Sequence, residues 1–202
     1  MPGSGELQPV LEALKTVAVA MKEAEVPFAL AGGCAVYARG GPDSRHDVDF
    51  VIREADREKV WRSLEERGLE TIDPPEDWLF KARVGGEQVD LIFRLAMGPV
   101  DDGLLGRADQ LTVDSVEMPV LAATDLLLGR LMALTEQNCD LSPVLALIRS
   151  LREQLDVDRI DATAAGHPIA EVAIDLARRL DLLPVPAGDH RTTDPVAQEG
   201  EG

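Results

Sequence analysis

Aromatic side chains are scarce in this chain of 202 residues, at 3%, so Leu, Val, Ile and Ala must build its core. Cysteine is scarcer: Cys34 and Cys139 lie far apart and in no metal-ligand or redox spacing, which suits a reducing compartment. No apolar run reaches the roughly 18 residues needed to cross a bilayer. The N-terminal MPGSGELQPV lacks the basic and apolar regions of a secretory signal. A cytoplasmic protein with no membrane association is expected. Basic charge is also short, with 20 Lys and Arg against 37 Asp and Glu, a net −17. Proteins that hold nucleic acid mainly through phosphates usually show a basic surface. General DNA binding is therefore disfavoured, although a local basic patch can survive on an acidic chain. An acidic surface suits a cationic small substrate or a basic protein partner, as well as plain solubility.

What is present is an ordinary soluble composition, 45% hydrophobic and 28% charged, long enough for one domain and a smaller helical appendage. Leu7, Val10, Leu11, Leu14, Val17, Ala18 and Met21 recur at helical steps, so the chain opens with an amphipathic helix. The apolar run 28–31 reads as a buried strand ended by Gly32-Gly33, followed by a short helix over 34–39 that Gly40-Gly41-Pro42 terminates. Residues 47–52 alternate charged and apolar types, the period of a half-buried strand. A charged helix over 55–67 comes next, capped by Gly68. Two strands, 78–84 and 87–94, flank Gly85-Gly86, a two-residue hairpin turn. Residues 98–106 read as a loop, and 111–120 as one or two short strands. From Thr124, read as a helix cap, only helices are expected; one begins at Ser142-Pro143 and a last one at Pro168. The end, 184–202, has almost no apolar content and reads as a disordered tail.

Chemistry concentrates in FALAGGCAVYARGGPDSRHDVDFVI, residues 28–52. Alternation along a strand points Asp47 and Asp49 the same way, roughly 7 Å apart at the backbone. Two such carboxylates call for a counter-charge, and Mg2+ supplies one because it prefers hard oxygen ligands and leaves room for substrate phosphates. Gly32 and Gly33 end a strand and open a helix, where backbone N–H groups can receive a phosphate at close approach. With Gly85 and Gly86 as the turn, Val84 pairs with Glu87, Arg83 with Gln88, Ala82 with Val89 and Lys81 with Asp90. Opposed residues share a face, so Lys81, Arg83 and Asp90 form one patch. Asp90 can be a base that deprotonates an acceptor hydroxyl, or a further metal ligand. Lys81 or Arg83 can neutralise a triphosphate, and an ion pair between Lys81 and Asp90 is the structural alternative. His46 adjoins the acids and serves either a phosphate or loop packing.

A double glycine, a short helix, DVDF on a strand and a third acid in VDLIF resemble the nucleotidyltransferase superfamily with the DNA polymerase beta-like core. Within it the chain is most similar to small bacterial nucleotidyltransferases of the AbiEii toxin type and the antibiotic-modifying kind. The resemblance covers roughly residues 5–150, and its specific part is residues 30–50 with Asp90. It implies an α/β mixed-sheet core over 1–120 with flanking helices, and a helical C-terminal segment over 121–183. It also implies Mg2+ held by Asp47, Asp49 and Asp90, and transfer of a nucleoside monophosphate from an NTP to an acceptor hydroxyl. The acceptor would be tRNA, with an antitoxin protein as partner, or a small molecule. A catalytically silent nucleotide-binding or protein-interaction module is the alternative. MPVLAATDLLLGRLMAL is similar to the helix that follows the core in these proteins, where a lysine often touches the nucleotide; this chain has Arg130. Arg45 stands where relatives often carry Thr or Ser. Arginine keeps the charge of a lysine but changes the geometry of phosphate contact. Arg45, Arg130, Lys81, Arg83, Gly32 and Gly33 are the candidate nucleotide contacts.

Overall fold

The structure, a computed structural model, describes residues 4–42 and 47–185. Chain order is α1 (Ser4–Glu23), β1 (Phe28–Ala31), α2 (Gly32–Ala38), β2 (Val48–Ile52), α3 (Arg57–Glu65), β3 (Glu70–Ile72), β4 (Leu79–Val84) and β5 (Glu87–Ile92). Then follow β6 (Arg94–Leu95), β7 (Gly98–Pro99), α4 (Asp102–Gly106), β8 (Asp109–Val113), β9 (Val116–Val120), α5 (Ala123–Met132), α6 (Ser142–Leu151), α7 (Val157–Ala164) and α8 (Pro168–Arg179). Seven strands form one mixed sheet in the order β3-β4-β5-β2-β1-β9-β8. The pairs β1–β9 and β2–β5 are parallel and the others antiparallel. This is the mixed-sheet α/β architecture that the sequence implied.

β1 sits near the middle, and all four of its residues are buried, which is why it reads as an unbroken apolar run rather than an alternating one. The stripe of α1 places Leu14, Val17, Ala18 and Met21 at zero exposure, and α1 packs on β2, β4 and β5 and against α3. Each large side chain so buried contributes about 1.5–3 kcal/mol of transfer free energy. The four phenylalanines are buried in the same core, and Phe28 meets Phe50 edge-on at 5.6 Å between centroids. On the other flank α2 packs on β1, β2 and β8 and against α5. Arg39 closes this corner, donating from Nε to the carbonyl of Leu121 at 2.6 Å and from Nη2 to Asp109 at 2.6 Å.

Several local expectations need correction. Residues 98–106 are not a loop: β7 pairs with β6, and α4 is capped by Asp101, whose Oδ1 accepts from the Leu104 N–H at 2.7 Å. Thr124 does not cap α5; the cap is Ala122, and the Thr124 hydroxyl instead accepts from the Asp156 N–H at 2.9 Å. Pro143 lies in the first turn of α6 as expected, but the cap position is Leu141. The three-residue β3 is too short to leave a pattern in the sequence. Among the described residues no helix is long and apolar enough to cross a membrane. Arg45, His46 and residues 186–202 of the expected tail lie outside the described residues.

Candidate active site

Three strand registers build one row of the candidate side chains. Ala31, the last residue of β1, pairs with Asp49. Asp49 on β2 lies beside Asp90 on the parallel neighbour β5. Asp90 in turn opposes Lys81 on β4, in the register that the Gly85-Gly86 turn predicted. Directly paired residues project to the same face, so Asp49, Asp90 and Lys81 stand side by side across three strands. Asp47 precedes β2 at an exposed position, two residues from Asp49.

Gly32 and Gly33 open α2 with no side-chain cap and no acidic residue in the first turn. Gly32 has φ +58°, and a Cβ there would lie 1.8 Å from Oδ2 of Asp49. The glycine is thus what lets the carboxylate of β2 lie against the start of α2. Lys81 Nζ is 3.4 Å from each carboxylate oxygen of Asp90, and Gln88 Nε2 donates to Oδ1 of the same group at 3.0 Å. Gln88 did not figure among the expected site residues, although alternation along β5 puts it on the face of Asp90, two positions away. Arg130 on α5 is exposed, and its charge acts on Asp49. Arg83 shares the face of Lys81, but its ion partner is Glu70 at 3.8 Å, on the side away from the acids.

Burial pushes the Asp49 carboxyl up to about 7, and the nearby charges of Asp90 and Asp47 push the same way, against Arg130 and Lys81. Asp90 is also raised, chiefly by burial, with Lys81 opposing. The row therefore carries more negative charge than its own cations balance. Among the described residues no group of three or more carboxylate, imidazole or thiol side chains converges as a metal-holding cluster. Asp47 and Asp49 nevertheless fit a hard divalent cation: both are oxygen donors, the charge of Asp47 acts on Asp49, and a counter-ion relieves that repulsion.

A stability measurement follows from the raised carboxyl. In the unfolded chain Asp49 titrates near 3.8, and in the folded, metal-free protein at about 7. Its favourable contribution is therefore complete below the unfolded value and lost as pH rises through the folded one. Asp49→Asn is expected to gain stability over the parent in chelator, from nothing near pH 4 to a plateau of about 2–4 kcal/mol above pH 7. Chemical denaturation across that range checks it, and a gain that shrinks with pH would contradict the assignment.

No family model matches the sequence, and no curated protein matches it either. Solved structures do match. The antibiotic-resistance factor ANT(2'')-Ia in solution superposes with a TM-score of 0.56 at 13% identity, over 84% of this chain and 97% of that one. The crystal structure of ANT(2'')-Ia in complex with adenylyl-2''-tobramycin gives 0.52 at 16% identity, over 85% and 98%. An antigenic nucleotidyltransferase-like protein from Paracoccidioides brasiliensis gives 0.52 at 15% identity, over 87% and 90%. At these identities the likeness is one of fold, and it agrees with the resemblance carried by the double glycine and the three acids. The chain has the fold of the nucleotidyltransferase superfamily.

Proposed function

We propose that this protein transfers a nucleoside monophosphate from an NTP to an acceptor hydroxyl, with Mg2+ held by Asp47 and Asp49. The observation that carries the reading is the in-register row Asp49, Asp90 and Lys81 laid against the glycine-opened start of α2. Bound there, Mg2+ would neutralise triphosphate charge and polarise the α-phosphate. The chain's own groups do the rest. Backbone N–H groups of Gly32 and Gly33 receive phosphate oxygens, and Arg130 and Lys81 are the cations whose fields reach this position. Arg45 is a nucleotide contact on sequence grounds alone. Asp90, as third ligand or as base, lies beside Asp49; as base it takes the proton of the acceptor hydroxyl. The freed oxygen then bonds to the α-phosphorus while the bond to the bridging oxygen breaks and pyrophosphate leaves.

For the acceptor, a net charge of −17 favours a small cationic molecule over a polyphosphate chain. The fold neighbour ANT(2'')-Ia, seen with adenylyl-2''-tobramycin, supports the same direction. The test incubates the protein with Mg2+, each labelled NTP in turn, and either amino-sugar antibiotics, neutral metabolites or total tRNA. Label is expected on a cationic hydroxyl compound, and Asp47→Ala is expected to reduce it by about 100-fold or more. Label on tRNA instead would establish the toxin-like acceptor and direct attention to an antitoxin partner. NTP binding with no transfer to any acceptor would leave a silent nucleotide-binding module and overturn the enzymatic reading.

A further inference from the structure

We infer that Lys81 is a built-in counter-cation that keeps Asp90 out of the metal position, so that the nucleotide-free protein holds a single divalent cation, at Asp47 and Asp49. The inference rests on the proposed nucleotidyl-transfer site and adds to it a division of labour among the three acids.

The geometry of Asp90 is the starting point. A carboxylate presents two oxygens, each with two lone-pair directions. Lys81 Nζ sits at 3.4 Å from both oxygens, across the group rather than against one of them. Gln88 Nε2 donates to Oδ1 at 3.0 Å from the same strand. Both donors come from the β4–β5 hairpin, whose two-residue turn leaves little freedom of register. Lys81 and Asp90 are both largely buried, at 24% and 13% side-chain exposure, so water screens their attraction weakly. A magnesium ion bonded to Asp90 at its usual 2.0–2.1 Å would lie within about 5.5 Å of the ammonium. Two cations that close, sharing one carboxylate, repel each other.

Asp47 and Asp49 are in the opposite condition. Neither has a salt-bridge partner among the described residues, whereas Asp90 has one. Asp49 lies against Gly32, at the phosphate-receiving end of the row, while Asp90 lies one strand further away, towards Lys81. The three acids also fail to converge on a common point among the described residues. Among the described residues, then, Asp47 and Asp49 are the acids of the site without a paired cation, and a divalent cation goes to them. Asp90, already balanced and oriented by two hairpin donors, is left with its remaining lone pairs for an acceptor hydroxyl. Lys81 and Gln88 are positioning residues: they act through Asp90.

The test counts metal ions and needs no turnover. Mn2+ alone is titrated into the full-length, NTP-free protein and followed by the loss of free-ion paramagnetic resonance signal, with thermal melting as a check on folding. The parent chain is expected to bind one Mn2+, and Asp47→Ala to bind none. Lys81→Met is expected to gain a second position, or to bind about tenfold more tightly, and Lys81→Met/Asp90→Asn to lose that gain. Lys81→Arg keeps the charge and should behave as the parent. Two ions in the parent, or a Lys81→Met profile identical to the parent's, would overturn the inference while leaving the metal-dependent reading intact. No binding in any variant would overturn both.

Discussion

Replacing Gly32 by alanine is expected to abolish the proposed nucleotidyl transfer and to weaken divalent-cation binding. The added Cβ would lie 1.8 Å from Oδ2, 2.7 Å from Cγ and 3.0 Å from Cβ of Asp49. The first of these distances lies far inside contact, so the carboxylate must swing away or β1 and β2 must part. Parting is resisted by the antiparallel register that joins Phe28–Ala31 to Asp49–Ile52. The backbone adds its own objection, because φ is +58° at this position and an alanine there costs roughly 1–2 kcal/mol. Together, strain and overpacking should lower stability by about 2–4 kcal/mol. Gly40→Ala is the control: it also has a positive φ, +92°, but a Cβ there would meet nothing within 4 Å. It should lose about 1–2 kcal/mol through its backbone alone and keep its metal affinity. Thermal melts and Mn2+ titration of both variants decide the matter; parent-like Mn2+ binding by Gly32→Ala would show that the glycine serves only the turn.

Asp125→Ala is expected to destabilise the protein by about 2–4 kcal/mol, or roughly 5–15 °C in Tm. The side chain of Asp125 is completely buried, at the first turn of α5. Arg107 holds it through two parallel bonds, Nε to Oδ2 and Nη2 to Oδ1, each 3.0 Å. Arg159 on α7 adds Nη1 to Oδ2 at 3.2 Å and a bond from Nη2 to Oδ1. One carboxylate so joins the end of α4, the start of α5 and α7. Burial pushes this carboxyl up, but the two guanidiniums overcome it and hold it below the ordinary range. Its contribution is present above the unfolded value near 3.8 and fades as pH falls through the lower folded one. The parent should therefore lose more stability than Asp125→Ala on acidification below about pH 4. Both guanidiniums keep partial access to water, at 41% and 29% exposure, which limits the loss to the lower part of the range for a broken buried pair. Substituting all three residues by apolar ones of similar size should recover most of it. A loss below about 1 kcal/mol for Asp125→Ala would contradict this account.

Much of the site is written in local patterns. The period of DVDF puts two acids on one strand face, the glycine pair marks a strand–helix junction, and Gly85-Gly86 sets the hairpin register that opposes Lys81 and Asp90. Each depends on residues a few positions apart, where dihedral preferences and turn geometry decide the outcome. The same patterns leave Arg83 beside Lys81 without indicating that Glu70, on a three-residue strand, is its partner. Asp101 and Asp156 are good caps that no strong apolar stripe beside them announces.

Tertiary structure decided what lies next to what. That β2 takes β5 as its parallel neighbour sets Asp49 beside Asp90, and no local propensity encodes a pairing across the intervening helix and hairpin. The pairing forms because Phe50, Val51, Leu91 and Ile92 are buried and α1 packs across both strands, and that burial offsets the entropy of closing the loop. Burial of Asp49 and the charge of Asp90 beside it raise its carboxyl to about 7, the pairing of β2 with β1 sets that carboxylate against Gly32, and α5 brings the charge of Arg130 to bear on it. The sequence by itself determined which residues are candidates for the chemistry and which way they face along each strand. Only the packing of distant strands and helices made them one site, because carboxylate repulsion and desolvation arise between neighbours in space.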